Sequence, residues 1–320
     1  MRYPPFRNSF AAVVGAHLLV TWGLAWGITQ TFAQQKPAWA PAPGHQTLDL
    51  WPDGPPGHPP SRGPERDSAS PSDLPMGGKP VIRLTDVSNP TITVYQPTGK
   101  LHSGAAVLVF PGGSYKVLAI DKEGTEICDW LNSIGVTAIL LKYRVPDAGP
   151  YPQSKTAYED GQRAVGLVRE HAAEWHIDPN RIGVIGFSAG AHLAAVLSNL
   201  CAQRIYPAVD AADQLPCRPN FAVIIYPGWL GGPHDPLAPN PAIPIDPNGP
   251  PAFIVQAEDD PVHVENSLSY FLALKKAKIP VEMHIFAEGG HGYGMRPIGK
   301  PIVGWPALAA TWFKTIGVTN

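Results

Sequence analysis

Gly186-Phe187-Ser188-Ala189-Gly190 follows the apolar run 182–185 and opens an alanine-rich helical pattern. It is G-x-S-x-G in a strand–turn–helix setting, the pattern of a nucleophile elbow. A chain that turns sharply out of a strand leaves the serine strained, and only small neighbours let strand and helix close on either side of it. Glycines two before and two after Ser188 supply that room and leave its Oγ clear above the sheet. The backbone N–H of Ala189, at the helix start, then points to where an oxyanion would form.

Two further strand ends complete the constellation. Ala252-Phe253-Ile254-Val255-Gln256 reads as a strand that runs into Glu258-Asp259-Asp260-Pro261-Val262. The run 281–286 reads as another and leads into Gly289-Gly290-His291-Gly292-Tyr293-Gly294. Each candidate sits just past the carboxyl end of a strand, where open α/β sheets build their sites. His291 is expected to take the proton of Ser188 as general base, and Asp260 to hold the imidazole in the right tautomer. Asp260-Pro261 also reads as a helix N-cap followed by proline. Asp259, and less readily Glu258, stay open as alternative acids. His291 among glycines also has a plainer reading as a loop histidine.

A third strand, 105–110, ends in Pro111-Gly112-Gly113-Ser114-Tyr115. Glycine there lets the backbone approach a substrate carbonyl and aim N–H groups at it. The expected oxyanion donors are therefore Gly112, Gly113, Ser114 and Ala189. Tyr115 after this loop, and Trp229 after Tyr226-Pro227-Gly228, are candidate substrate-binding residues, although aromatics at strand ends are as often core.

At the N-terminus, Arg2 and Arg7 precede an apolar run from Phe10 to about Ile28, which ends at Thr31-Phe32-Ala33. Basic start, apolar middle and small boundary residue predict a secretory signal over 1–33, with an uncleaved anchor as the alternative. Export to the periplasm or medium follows, with no membrane association after cleavage. Residues 34–78, rich in Pro, Gly and Ser, read as an extended arm of which 48–51 should pack. From 79 to 320 strands alternate with helices, which predicts one α/β catalytic domain with a mostly parallel sheet. Strands 81–85 and 91–95 are expected to form an initial antiparallel pair. Helices are expected near 123–134, 155–175, 189–200, 264–278 and 305–315.

The chain carries 24 Lys and Arg against 26 Asp and Glu, a net charge of −2. Such a balance argues against nucleic acid or an anionic membrane as partner. Three cysteines make no disulfide framework. Cys128 reads as a buried small hydrophobe, whereas Cys201 and Cys217 flank an insertion and are expected to pair after export. His192, on the elbow helix, is expected to pack or hydrogen-bond beneath it. No histidine or cysteine spacing forms a metal site, so neither metal nor cofactor is expected.

From about Leu48 onward the chain resembles the secreted bacterial α/β-hydrolases related to acetyl-xylan esterases and feruloyl-esterase-like acyl hydrolases. The resemblance rests on Leu50-Trp51-Pro52-Asp53-Gly54, Pro111-Gly112-Gly113-Ser114-Tyr115, Ala119-Ile120-Asp121-Lys122-Glu123-Gly124 and Leu141-Lys142-Tyr143-Arg144-Val145-Pro146, together with the elbow, acid and histidine stretches. It implies the α/β-hydrolase fold, with Ser188 as nucleophile, Asp260 as acid, His291 as base, and oxyanion donors on the 112–114 loop and at Ala189. The family usually has three glycines in that loop, so Ser114 is a departure. The expected activity is a serine esterase acting on acetyl esters of plant polysaccharide or on small esters. The alternatives are a feruloyl or other small-acyl esterase, and a catalytically silent binding protein on the same fold.

Overall fold

Residues 39–57, 63–99 and 101–320 are described by this computed structural model. The expected leader over 1–33 lies outside them. The described residues belong to one unit, Lys36–Asn320. In chain order the strands are β1 Gln46–Asp49, β2 Arg66–Asp67, β3 Arg83–Thr85, β4 Thr91–Tyr95, β5 Ala106–Phe110, β6 Leu118–Ala119, β7 Thr137–Lys142, β8 Ile182–Phe187, β9 Ala222–Ile225, β10 Ala252–Ala257 and β11 Val281–Phe286. The helices are α1 Glu126–Ser133, α2 Thr156–Glu170, α3 Ala189–Leu200, α4 Glu265–Lys276 and α5 Trp305–Thr315.

An eight-stranded sheet in the order β1-β4-β7-β5-β8-β9-β10-β11 forms the core. From β7 to β11 every pairing is parallel, while β4 and β1 are antiparallel additions on one side. Successive side chains of a strand point to opposite faces, yet every residue of β5, β8, β9 and β10 is buried. Both faces of the sheet are therefore covered, as apolar runs in parallel strands require. α3 packs on β8 and β9, α1 on β7, α4 on β10 and β11, and α5 on β10.

The registers align the strand ends. Phe110 lies beside Gly186, Phe187 beside Ile225, and Ala257 beside Phe286. The loops that leave β5, β8, β9, β10 and β11 consequently emerge along one rim. The order of strands reverses between β5 and β8, which is where a crevice opens in a sheet of this kind.

The start of the fold differs from expectation in two ways. β3 and β4 do not pair with each other: β4 joins the main sheet, and β3 sits in a three-stranded sheet ordered β2-β3-β6. β4 is buried throughout and needs neighbours above and below it, whereas β3 begins with the half-buried Arg83 and pairs with a short polar stretch. The second difference is that β1 comes from the Pro- and Gly-rich arm yet pairs with β4 over Gln46 to Asp49. Leu50 and Trp51 explain why. Both are buried, the Trp51 indole donates to Asp160 Oδ1 at 2.9 Å, and Arg163 Nε donates to the Leu50 carbonyl at 2.8 Å. The shift of composition at 79 is thus not where the sheet begins. α2 ends at Glu170, short of the expected 175, because residues 171–176 form turns that reach a left-handed His176 at φ 56°.

Candidate active site

Ser188 joins β8 to α3 with φ 53° and ψ −113°, a left-handed conformation that costs a residue with a Cβ. The flanking glycines make the turn possible. A Cβ on Gly186 would lie 2.1 Å from the Gly190 carbonyl oxygen, and one on Gly190 would lie 2.0 Å from that of Phe110. Ser188 is 9% exposed, just enough to be reached.

His291 Nε2 stands 2.9 Å from Ser188 Oγ, and its Nδ1 stands 2.9 Å from Asp260 Oδ2. The aspartate is buried and held on both oxygens. Val262 N–H donates to Oδ1 at 2.7 Å and Gln256 Nε2 donates to Oδ2 at 3.0 Å. Gln256 is fixed in turn by the Ser267 hydroxyl, which donates to its Oε1 at 2.6 Å. Asp259 does a different job: its Oδ1 accepts the N–H groups of Gly289 (2.9 Å) and Gly290 (2.7 Å) and so pins the loop that carries His291. The Glu258 side chain is exposed. Of the three acids, Asp260 is the one joined to the imidazole.

The 112–114 loop differs from expectation at its first glycine. Gly112 N–H donates to Glu123 Oε2 at 2.8 Å, so it is already committed and cannot serve an oxyanion. The N–H groups of Gly113, Ser114 and Ala189 donate to no acceptor among the described residues. Gly113 adopts φ 136°, and Ser114 and Tyr115 follow at 56° and 59°. Ser114 thus takes up the left-handed backbone that a third glycine would adopt at less cost.

Glu123 is the residue that sequence reasoning undervalued. It lies in a π-helical turn, Asp121–Thr125, and is 3% exposed. Besides Gly112 N–H, it accepts the Tyr226 hydroxyl at 2.9 Å and has Lys122 Nζ at 3.1 Å. The Tyr226 oxygen accepts Gly294 N–H at 3.1 Å, and Lys122 Nζ donates to the Gly292 carbonyl. One carboxylate therefore ties the 112–114 loop to the end of β9 and to the loop around His291. Burial, then the nearby Glu123 charge, raise the Tyr226 phenol well above its ordinary range, so it stays a donor to that carboxylate.

Tyr115 is buried, and its hydroxyl lies 2.8 Å from His192 Nδ1. Desolvation alone pulls His192 down to about 3, and its Nε2 has no partner. Trp229 leans on both, with ring centroids 5.9 Å from Tyr115 and 5.8 Å from His192, and is 38% exposed. Of the two candidate substrate residues, Trp229 presents itself to solvent and Tyr115 supports it from behind.

Nine non-glycine residues among those described have positive φ, and six of them (Ser114, Tyr115, Ser188, Tyr226, Trp229 and His263) line this rim. Backbone strain gathers where chemistry needs fixed geometry. The arrangement offers a hydroxyl within reach of an imidazole that a buried carboxylate holds in place, beside N–H groups free to receive a negative oxygen.

The chain matches the sequence profile of the alpha/beta hydrolase fold over residues 107–242, and that of the prolyl oligopeptidase family over 232–312. It is 29% identical over 258 residues to an acetylxylan esterase from Xylanibacter ruminicola, covering 73% of this chain and 47% of that one. Similarity to endo-1,4-beta-xylanase B from Butyrivibrio fibrisolvens is 30% over 210 residues, 58% of this chain and 32% of that one. The chain therefore spans half or less of the length of these two relatives. A solved structure, an acetyl ester-xyloside bifunctional hydrolase from Caldicellulosiruptor lactoaceticus, superposes with a TM-score of 0.66 at 30% identity, over 86% of this chain and 97% of that one. Sheet order, strained elbow and this near-complete overlap place the chain in the alpha/beta hydrolase fold family.

Proposed function

We propose that this protein is an exported serine esterase that removes acetyl groups from plant polysaccharide, with O-acetylated xylan or its oligosaccharides as substrate. The observation that carries the reading is the chain Asp260–His291–Ser188, two contacts of 2.9 Å, set beside the unengaged N–H groups of Gly113, Ser114 and Ala189. Ser188 Oγ attacks the ester carbonyl as its proton passes to His291 Nε2, and Asp260 steadies the imidazolium. The carbonyl oxygen, now negative, takes hydrogen bonds from the three N–H groups. Collapse returns the proton to the departing sugar hydroxyl and leaves acetyl on Ser188. Water, deprotonated by the same imidazole, then frees acetate. Likeness to the acetylxylan esterase and to the acetyl ester-xyloside hydrolase supports acetylated xylan as the substrate class. The basic and apolar pattern of residues 1–33 supports export.

The test is acetate release from acetylated xylo-oligosaccharides by the full chain and by Ser188→Ala. Release that falls by about a million-fold toward background in the mutant, with an unchanged circular dichroism spectrum, supports the reading. Acetate release that survives in the mutant rejects Ser188 as nucleophile. Ferulate release from feruloylated arabino-oligosaccharides, with no acetate from the xylo-oligosaccharides, rejects the substrate.

A further inference from the structure

A cavity of about 480 Å³ lies between the turn after β9 and the turn after β10, and none of Ser188, Asp260 and His291 lines it. Trp229, Gly231 and Pro236 line it from the first turn, and Val262, His263 and Glu265 from the second. Each wall carries a residue that touches the support of the candidate active site. Trp229 rests on Tyr115 and on His192 of the elbow helix, while Val262 N–H holds Asp260 Oδ1. Its size falls in the range of small-ligand clefts, about 300–1,000 Å³, and far exceeds what a two-carbon acyl group fills.

The cleft is built rather than incidental. Asn266 pins both walls: its Oδ1 accepts the N–H groups of Leu230 (2.9 Å) and Gly231 (3.1 Å), and its Nδ2 donates to the carbonyls of Val262 (2.6 Å) and His263 (3.0 Å). Asn240 Nδ2 holds the Trp229 carbonyl at 2.8 Å. Trp229 and His263 both keep left-handed backbones, φ 54° and 67°, which aim their side chains at a cost the surrounding bonds must cover. Against this rigid frame three polar groups stand unused. Trp229 Nε1, the His263 ring nitrogens and the Glu265 carboxylate have no partner among the described residues.

A half-exposed indole beside an unengaged carboxylate and an unengaged imidazole is the chemistry that recognises a sugar ring. The C–H face of a pyranose is apolar and flat enough to lie on the indole, and its hydroxyls need acceptors and donors around the margin. A feruloyl ring would also stack on the indole but brings a single phenolic hydroxyl, whereas a pyranose carries several hydroxyls around its margin to meet both Glu265 and His263. We propose that this cleft binds a pyranose unit of the alcohol portion of the ester, with Trp229 as platform and Glu265 and His263 as hydroxyl partners. The proposal rests on the esterase reading and assigns the sugar of its substrate to this cleft.

Two measurements test it, and the first needs no catalysis. Saturation-transfer NMR of xylotriose with the full chain should show contact at the sugar C–H protons, lost in Trp229→Leu and weakened in Glu265→Gln. In the second, the ratio of kcat/KM for acetylated xylo-oligosaccharide to that for 4-nitrophenyl acetate should fall at least tenfold in Trp229→Leu. The change should lie in KM, the mark of binding shared by ground and transition states, and Trp229→Phe should restore most of it. Glu265 lies at the start of α4, so its variant stays informative even if the tryptophan variants misfold. Unchanged sugar contact and an unchanged ratio in folded variants overturn the subsite, as does transfer to ferulate in place of xylotriose. A wild-type chain that cleaves no ester at all overturns the esterase reading instead, and the xylotriose spectrum then decides the cleft by itself.

Discussion

Glu123 sets three loops from one buried carboxylate, through Gly112, Tyr226 and the Lys122–Gly292 contact. Replacing it by glutamine keeps the shape but turns one acceptor into a donor, which must then face either Gly112 N–H or the Tyr226 hydroxyl. The loops that carry the unengaged N–H groups of Gly113 and Ser114 and the His291 ring lose their common anchor, and a misplacement of an ångström costs about a hundred-fold in rate. Glu123→Gln should therefore lower kcat by about ten- to a hundred-fold with KM little changed; a wild-type kcat in steady-state kinetics would reject this role. Ser188, Asp260 and His291 were legible in the sequence because each sits in a short motif at the end of an apolar run. Glu123 and Gln256 were not. Glu123 meets Tyr226 across 103 residues, and Gln256 lies inside a strand where a polar side chain carries no local pattern. The commitment of Gly112 was equally hidden, since it depends on a carboxylate brought up by the next turn.

At the level of elements, α3 and α5 fall where the helical period puts them, at 189–200 and 305–315, and β3 lies inside the expected strand 81–85 though with other partners, while the short strands β1, β2 and β6 escaped pattern reading. Two- to four-residue strands hold too few side chains to show a period, and those in the arm are surrounded by proline and glycine. The connection from α3 to β9 is closed by a Cys201–Cys217 disulfide spanning 16 residues, leaving Cys128 buried and free. A loop of that length is worth about 3 kcal/mol in a chain-entropy account. The denatured, unreduced protein should titrate one thiol, and the paired Cys201→Ser, Cys217→Ser variant should lose stability by about that amount in urea unfolding. Three titratable thiols would reject the bridge.

For the molecule as a whole, the neutral His192 inside the fold sets part of the acid limit. Its value is pulled from 6.5 to about 3 by burial. Below about pH 6.5 the unfolded chain takes up a proton there that the folded chain refuses until near pH 3. The stabilising contribution is complete above pH 6.5 and is lost as the pH falls, at about 1 kcal/mol per pH unit. Urea unfolding at pH 7, 6, 5 and 4 should show a steeper fall for the wild type than for His192→Asn; parallel slopes would reject it. Carboxylates elsewhere add to the fall in both proteins and leave the difference intact.

β1 has a consequence for anyone shortening this protein. A chain started at residue 79, where the composition changes, would strip β1 from β4 and lay bare a row of N–H and C=O groups along a fully buried strand. It would also remove Trp51 from over Asp160. An exposed apolar strand of that kind recruits another like itself. The trimmed chain should elute from a sizing column as soluble aggregates, while one started at residue 39 should run as the intact domain does.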